Sequence, residues 1–177
     1  MTIRSFEDKT PRIDPSVYVD EKALVIGEVT IAEDASIWPM TVVRGDVNSI
    51  TIGARTNIQD LSMIHVTHRG GAQFPDGFQV NIANDVTVGH HCVIHGCNIE
   101  EFCLIGIGSI LLDGVQIGAR TMIGAGSLVP PGKVLKGGYL WVGKPVKRVR
   151  ALTEDEYKRI GYLAEHYVKN KNRYMYG

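Results

Sequence analysis

Aliphatic residues recur at every sixth position over most of the chain. An unbroken run comprises Ile99, Ile105, Leu111, Ile117, Ile123, Val129 and Leu135. Shorter runs precede it with the same spacing: Val25, Ile31, Ile37 and Val43, then Ile52, Ile58 and Ile64, then Ile82, Val88 and Ile94. A period of six matches neither an α-helix nor simple strand alternation, but it suits a short strand followed by a bend. The repeat therefore predicts a solenoid whose aliphatic side chains stack inside.

Three such six-residue rungs close one triangular coil of about eighteen residues, and stacked coils pair their backbones as parallel strands. Small residues four positions after the aliphatic anchors, such as Ser62, Cys92 and Ser109, suit the tight corners. The alternative is a β-sandwich with accidental spacing, and the number of anchors in register argues against it. We therefore expect an all-β solenoid, a parallel β-helix of hexapeptide repeats, followed by a C-terminal α-helix.

Interruptions of the repeat divide the chain. We expect an N-terminal arm over 1–20, the β-helix over 21–150 and a C-terminal helix over 151–177. Anchors are missing between Ile64 and Ile82, where the Gly- and Pro-containing segment 67–80 is predicted to leave the solenoid as a loop. The helix prediction rests on the sequence TEDE at 153–156, which is typical of a capping box, and on the apolar stripe after it.

Charge and composition exclude several kinds of partner. Lys and Arg total 19, as do Asp and Glu, so the formal net charge is zero. Nucleic acids and anionic membranes select basic surfaces, so neither is expected as a partner. No apolar run is long enough to span a bilayer, and the N-terminal residues carry charges where a signal peptide needs an apolar stretch. Three cysteines without an export signal indicate free thiols, so we expect a cytoplasmic protein.

The repeat also places the histidines. If segment 67–80 is a loop, Ile64 and Ile94 lie three rungs apart, on one face of adjacent coils. Their followers, His65 and His95, should then stack with outward side chains, in one column with Arg44. Imidazole is the commonest protein ligand of metals, and three imidazoles leave a fourth zinc position for water. The alternative is a surface column of solvated histidines.

His90 is expected on an adjoining face, aligned with Asp60, because Ile58 and Val88 are also three rungs apart. That position separates His90 from His65 and His95 within one chain. A trimer would resolve the separation, since a corner of one solenoid would meet a face of the next.

Three segments resemble motifs of the gamma-class carbonic anhydrases and their bacterial relatives. They are VVRGDV at 42–47, NIQDLSMIHVTH at 57–68 and GHHCVIHGC at 89–97. The resemblance implies a left-handed β-helix that assembles as a homotrimer. It also implies metal ligands at His65, His90 and His95, two from one subunit and one from the next. The family uses Zn2+, and in some settings Fe2+ or Co2+.

Other family positions carry over one at a time. The resemblance implies that Arg44 and Asp46 form an ion pair across the subunit interface. It implies that Gln59 hydrogen-bonds the metal-bound water, with Asn57 as a further polar residue of the motif. Asp60 belongs to the same polar set. Tyr167, on the C-terminal helix, matches a tyrosine near the metal.

The resemblance implies a zinc-dependent carbonic anhydrase, which interconverts carbon dioxide and bicarbonate by attack of metal-bound hydroxide. Two features depart from the archetypal archaeal enzyme: Val47 replaces a glutamate, and the loop after the first ligand offers one acid, Asp76. His68 is a candidate proton shuttle in that loop, or else a solvated histidine. Two alternatives therefore stay open. One is a metal-binding relative with little or no hydration activity, and the other is a hexapeptide acyltransferase that uses acyl-CoA.

Overall fold

The chain winds into a parallel β-helix closed by one long helix. The structure, a computed structural model, describes residues 2–177. Its first strands are β1 Ile3–Arg4, β2 Arg12–Ile13, β3 Tyr18–Val19, β4 Leu24–Ile31, β5 Ser36–Ile37, β6 Val42–Ile52, β7 Asn57–Ile58 and β8 Met63–His65. The next are β9 Val80–Ile82, β10 Thr87–Val88, β11 Val93–His95, β12 Asn98–Ile99, β13 Leu104–Ile105, β14 Ile110–Leu111 and β15 Gln116–Ile117. The last elements are β16 Met122–Ile123, β17 Leu128–Val129, β18 Val134–Leu135, β19 Tyr139–Gly143, β20 Val146–Ala151 and α1 Glu154–Tyr176.

Strand pairing defines three faces of a triangular prism. The first face runs β4-β6-β8-β11-β14-β17, with β1 added at its start. The second runs β2-β4-β6-β9-β12-β15-β18, because β4 and β6 are long enough to bend across two faces. The third runs β3-β5-β7-β10-β13-β16-β19. All these pairs are parallel, and β20 closes the third face by pairing antiparallel with β19. The predicted fold class is confirmed.

The anchors of the six-residue repeat form the core. Along the third face, Ile58, Val88, Ile105 and Ile123 are Cα partners in successive coils. All four side chains are at most 1% exposed. Strands of two residues persist here because each coil is hydrogen-bonded to the coils on both sides and shares one continuous apolar stack.

One corner of the prism, between the third and first faces, carries exposed apolar residues. Met40, Leu61 and Ile107 are 57%, 47% and 54% exposed, and we call them the apolar corner. His90 lies among them, since the amide of Gly108 donates to the His90 carbonyl. Met40 and Leu61 also adopt positive φ angles of 61° and 62°, a region that costs a non-glycine residue energy. A large apolar side chain in that conformation, facing solvent, is unusual for a lone chain.

Helix α1 packs on the third face, against β3, β5 and β10. Its first turn is fixed by the expected capping box, in which the Thr153 hydroxyl accepts from the Glu156 amide and the Glu156 side chain accepts from the Thr153 amide. Trp38 meets Tyr167 and Tyr174 of the helix edge-on, with ring centroids 5.4 and 5.2 Å apart. Within residues 2–177, no helix has the length and apolarity needed to cross a membrane.

The segment between β8 and β9 leaves the prism as a hairpin-like loop. Thr67 and Phe78 pair antiparallel, with N–H···O distances of 2.9 and 3.2 Å. From the neighbouring coil, the side-chain amide of Asn48 donates to the Thr67 carbonyl at 3.1 Å and to the Asp76 carbonyl at 2.9 Å. The base of the loop is therefore fixed to the solenoid beside the end of β8.

Candidate metal centre

Two predicted ligands, His65 and His95, meet on the first face. Strands β6, β8 and β11 run side by side, with Arg44, His65 and His95 as Cα partners. This is the column that the sequence predicts, because Ile64 and Ile94 point inward and their followers point outward. Nδ1 of His65 lies 3.1 Å from Nε2 of His95.

Each of these two rings also contacts a carboxylate with its other nitrogen. Nε2 of His65 lies 3.1 Å from Oδ1 of Asp46. Nδ1 of His95 lies 2.6 Å from Oδ1 of Asp113. A carboxylate accepts an N–H, so in the neutral imidazole the outer nitrogen carries the proton and the inner nitrogen presents its lone pair. Two lone pairs therefore face each other, an arrangement that a cation between them stabilises.

Burial favours a neutral His65. Burial and the positive charge of Arg44 lower the pKa of His65, although Asp46 opposes the shift. Burial alone would raise the pKa of Asp46, but hydrogen bonds from His65 and Arg44 hold it below its ordinary value. Asp46 therefore stays ionised while His65 stays unprotonated at its metal-facing nitrogen, which is the state that binds a metal. Arg44 and Asp46 pair through Nη1 and Oδ2 within one chain.

A second group of predicted residues lies at the apolar corner. Nδ1 of His90 is 3.0 Å from Oδ2 of Asp60, and the His90 side chain is 42% exposed. The side-chain amide of Gln59 donates to Oδ1 of Asn57 at 3.1 Å, and the side-chain amide of Asn57 donates to Oγ1 of Thr87 at 2.9 Å. Gln59 is only 6% exposed. This chain of bonds fixes the Gln59 side chain with its amide nitrogen directed away from solvent.

The remaining two predicted site residues are Tyr167 and His68. Tyr167 lies on helix α1 and packs edge-on against Trp38, where burial and the charge of Asp60 raise its pKa. Tyr167 therefore lies on the same side of the prism as His90 and Asp60. His68 is exposed at the start of the loop, next to Thr67.

The donor set fits a divalent metal. Zinc–nitrogen bonds of 2.0–2.1 Å place two ligand nitrogens of a tetrahedral site about 3.3 Å apart, close to the 3.1 Å found between His65 and His95. Their outer nitrogens contact carboxylates, as the outer nitrogens of metal-binding histidines generally do. Within the described part of one chain, however, no three acidic, histidine or cysteine side chains are grouped to hold an ion. One chain therefore brings two imidazoles together, and a metal between them would need a further donor.

Sequence reasoning missed Asp113 as a neighbour of the site. The residue lies outside the three recognised motifs, one coil of about eighteen residues after His95. That spacing is the signal that could have found it, since a full coil brings the chain back to the same edge of the prism.

The three thiols offer no competing chemistry. Cys92, Cys97 and Cys103 are free thiols, as expected, and all three are buried. Burial raises the pKa of Cys92 to about 11 and that of Cys103 to about 12. A thiol that stays protonated is neither a nucleophile nor a metal ligand at neutral pH.

Comparisons with known proteins agree with these features. The family model "Bacterial transferase hexapeptide (six repeats)" matches residues 96–131. Protein YrdA of Escherichia coli is 50% identical over 98% of this chain and 94% of its own length. A carbonic anhydrase of Geobacillus kaustophilus is 41% identical over 97% of this chain and 90% of its own. The mitochondrial gamma carbonic anhydrase 2 of Arabidopsis thaliana is 42% identical over 94% of this chain and 59% of its own.

The fold has a solved counterpart at similar coverage. A hexapeptide transferase family protein of Anaplasma phagocytophilum superimposes with a TM-score of 0.90 at 35% identity, over 98% of both chains. Identity to the Geobacillus kaustophilus carbonic anhydrase over nearly the whole of both chains, together with the six-residue solenoid and the paired histidines, gives one assignment. The chain belongs to the gamma carbonic anhydrase family.

Proposed function

We propose that this protein is a metal-dependent carbonic anhydrase that interconverts carbon dioxide and bicarbonate. The observation that carries the proposal is the 3.1 Å approach of His65 Nδ1 and His95 Nε2 in a chain related throughout to proteins named carbonic anhydrase. The metal we propose is Zn2+, with Fe2+ or Co2+ as alternatives, because imidazole nitrogens bind divalent first-row metals in general.

The third ligand in this proposal is His90 of the partner subunit in a homotrimer. Two features of the chain support it. His90 is separated from the His65–His95 pair within one chain, yet its side chain is 42% exposed and held by Asp60. It also stands at the apolar corner, where Met40, Leu61 and Ile107 offer surface for a neighbouring copy to bury. A cyclic trimer would repeat this corner-to-face contact three times.

The chemistry that such a metal supplies when bound is a water made acidic enough to give hydroxide near neutral pH. Asp46 and Asp113 hold the two imidazoles in the tautomers that present lone pairs inward. Oδ1 of Asn57 accepts a hydrogen bond from the side-chain nitrogen of Gln59. The Oε1 atom of Gln59 is therefore left to accept the proton of a nucleophile. That acceptor would orient the nucleophile toward the carbon of carbon dioxide.

A proton must leave the site after each hydration. His68 is our proposed carrier, because it is an exposed imidazole at the start of the loop that adjoins β8, and imidazole exchanges protons near neutral pH. We further propose a cytoplasmic location, which the three reduced, buried thiols support.

The test pairs metal content with turnover. Purified protein reconstituted with Zn2+ should bind about one ion per subunit and accelerate carbon dioxide hydration in a stopped-flow indicator assay. His95→Ala removes one of the two converging imidazoles and should lose both the ion and the acceleration. His166→Ala, on the exposed face of α1, is the matched control and should keep both.

Two outcomes would contradict the proposal. Fully metallated protein that hydrates carbon dioxide no faster than buffer would indicate the metal-binding relative without turnover. Binding of acetyl-CoA in a calorimetric titration, with no bound metal, would favour the hexapeptide acyltransferase that the sequence leaves open as an alternative.

A further inference from the structure

We propose that Asp113 and Thr67 form a clamp that positions His95 for metal binding, and that this clamp joins the metal site to the loop after β8. The inference rests on the proposed function. Asp113 lies on a different coil from His95 and outside every motif that marks the family resemblance.

The two oxygens of the Asp113 carboxylate accept two different hydrogen bonds. Oδ1 of Asp113 accepts from Nδ1 of His95 at 2.6 Å, and Oδ2 accepts from the Thr67 hydroxyl at 2.7 Å. The side chains of His95 and Asp113 are 29% and 31% exposed, so solvent competes only partly for these bonds. A carboxylate held at both oxygens has one orientation, and it imposes that orientation on the imidazole.

The contact between Asp113 and His95 needs space. Gly96 follows His95 with a φ of +54°, and a Cβ atom there would collide with the Asp113 carboxylate and lie 2.6 Å from Cβ of Phe78. The absent side chain therefore lets the Asp113 carboxylate reach His95. It also brings Phe78, from the far end of the loop, against the same turn.

Thr67 connects the clamp to the loop. Thr67 is the first residue of the loop's antiparallel pair with Phe78, and its carbonyl accepts from the Asn48 amide at 3.1 Å. The residue whose hydroxyl holds Asp113 is thus fixed by its backbone bonds to Phe78 and by the side chain of Asn48, rather than carried on a free loop. A change in the loop would reach the metal through Thr67, Asp113 and His95, each bonded to the next.

The consequence for chemistry is a fixed tautomer. Because Asp113 accepts the hydrogen bond of the Nδ1–H group, Nε2 of His95 presents its lone pair toward His65. Outer carboxylates of this kind orient ligand imidazoles and make them better donors, and removing them generally weakens metal affinity by about 10–100-fold. Asp113 is therefore a positioning residue, which acts on the metal through His95.

The test measures Co2+ affinity by competition with a chromophoric chelator, in the full-length protein. Asp113→Asn keeps the shape of the side chain but removes its charge, and should weaken Co2+ binding by about 10–100-fold. Thr67→Val should weaken it by a smaller factor, and Thr67→Ser should restore it. Combining Asp113→Asn with Thr67→Val should cost little more than Asp113→Asn alone, because both act through one contact. Asp76→Asn, the same charge change in the exposed loop, is the control.

A second readout needs no metal. In the metal-free protein, nitrogen NMR of the His95 ring should place the proton on Nδ1, and Asp113→Asn should shift population to the Nε2 tautomer. A merely structural role for Asp113 would leave the tautomer unchanged. If Asp113→Asn does not fold, the Thr67→Val and Thr67→Ser pair decides the question by the same two measurements.

The outcomes separate this inference from the proposed function. Wild-type protein that binds no Co2+ overturns both. Wild-type protein that binds Co2+ and hydrates carbon dioxide, while Asp113→Asn binds as tightly and keeps the Nδ1 proton, overturns the clamp alone.

Discussion

Ile105 shows how a single residue supports the solenoid. It lies at 0% exposure between Val88 and Ile123, its partners in the coils on either side. A void at this point would sit inside a stack whose neighbours are held by backbone pairing and cannot collapse into it. The position is therefore expected to be costly to truncate.

We predict that Ile105→Ala lowers the free energy of unfolding by about 3 kcal/mol, since buried Ile-to-Ala changes combine lost transfer energy with a residual cavity. Denaturant unfolding at one fixed protein concentration measures it. Val134→Ala, at a position 70% exposed, is the control and should change stability by less than about 1 kcal/mol. Equal losses in the two variants would contradict the aliphatic stack as the source of stability.

The sequence predicted which residues lie side by side on a face better than it predicted which side chains bond to each other. The alignment of Arg44, His65 and His95 follows from the repeat once segment 67–80 is taken as a loop, because strand pairing fixes which residues are neighbours on one face. The bond between Asp113 and His95 depends on side-chain rotamers, on Gly96 and on a loop that obeys no repeat. Periodicity carries no information about those, so Asp113 was not predicted.

Among the elements, helix α1 depends on a short polar network at its start. Hydrogen bonds from Arg150 and from the Thr153 amide lower the pKa of Glu156 to about 2. Both oxygens of Glu156 meet the Arg150 guanidinium at 2.8 Å. The ionised form of Glu156 is thus favoured in the folded protein over the unfolded chain.

We predict a pH-dependent effect of Glu156→Gln. Because the folded pKa lies below the ordinary value of 4.5, the carboxylate stabilises the fold fully above that value and loses its effect as pH falls toward 2. Wild type should melt roughly 2 °C above the variant at pH 7, and the gap should close between about pH 4.5 and 2. Thermal unfolding across this range, with the exposed Glu165→Gln as control, measures it. A gap of unchanged size at pH 2 would contradict the assignment.

The start of helix α1 is predictable from the sequence, but its docking on the solenoid is not. Its start at the TEDE box follows from local sequence, since a capping box involves residues three apart. Its docking depends on Lys171, which is 1% exposed and bonds to the Ser16 carbonyl at 2.7 Å and to Asp34 at 2.8 Å. A lysine on a helix is expected to be solvated, and only the folded partner surface shows that this one is buried.

For the whole molecule, the proposed site divides between subunits, and mixing variants tests that division. His90→Ala and His95→Ala should each be inactive alone. In a cyclic trimer that contains both, one interface combines an intact His65–His95 pair with an intact His90, so random mixing should recover about a quarter of wild-type activity. Co-refolding the two variants, followed by the stopped-flow assay, measures the recovery. Activity no higher than that of either variant would contradict a site shared between subunits.

The last strand, β20, covers the end of the third face of the prism. A parallel coil ends in unpaired N–H and C=O groups, on which the first coil of another copy could continue. Here β20 reverses direction on β19 and exposes Lys147, Arg148 and Arg150. Reversed polarity and repeated positive charge oppose growth from that end, as edge lysines and arginines do in other sheets. The third face of a potentially endless repeat thus ends in a strand on which a further parallel coil cannot continue in the same direction.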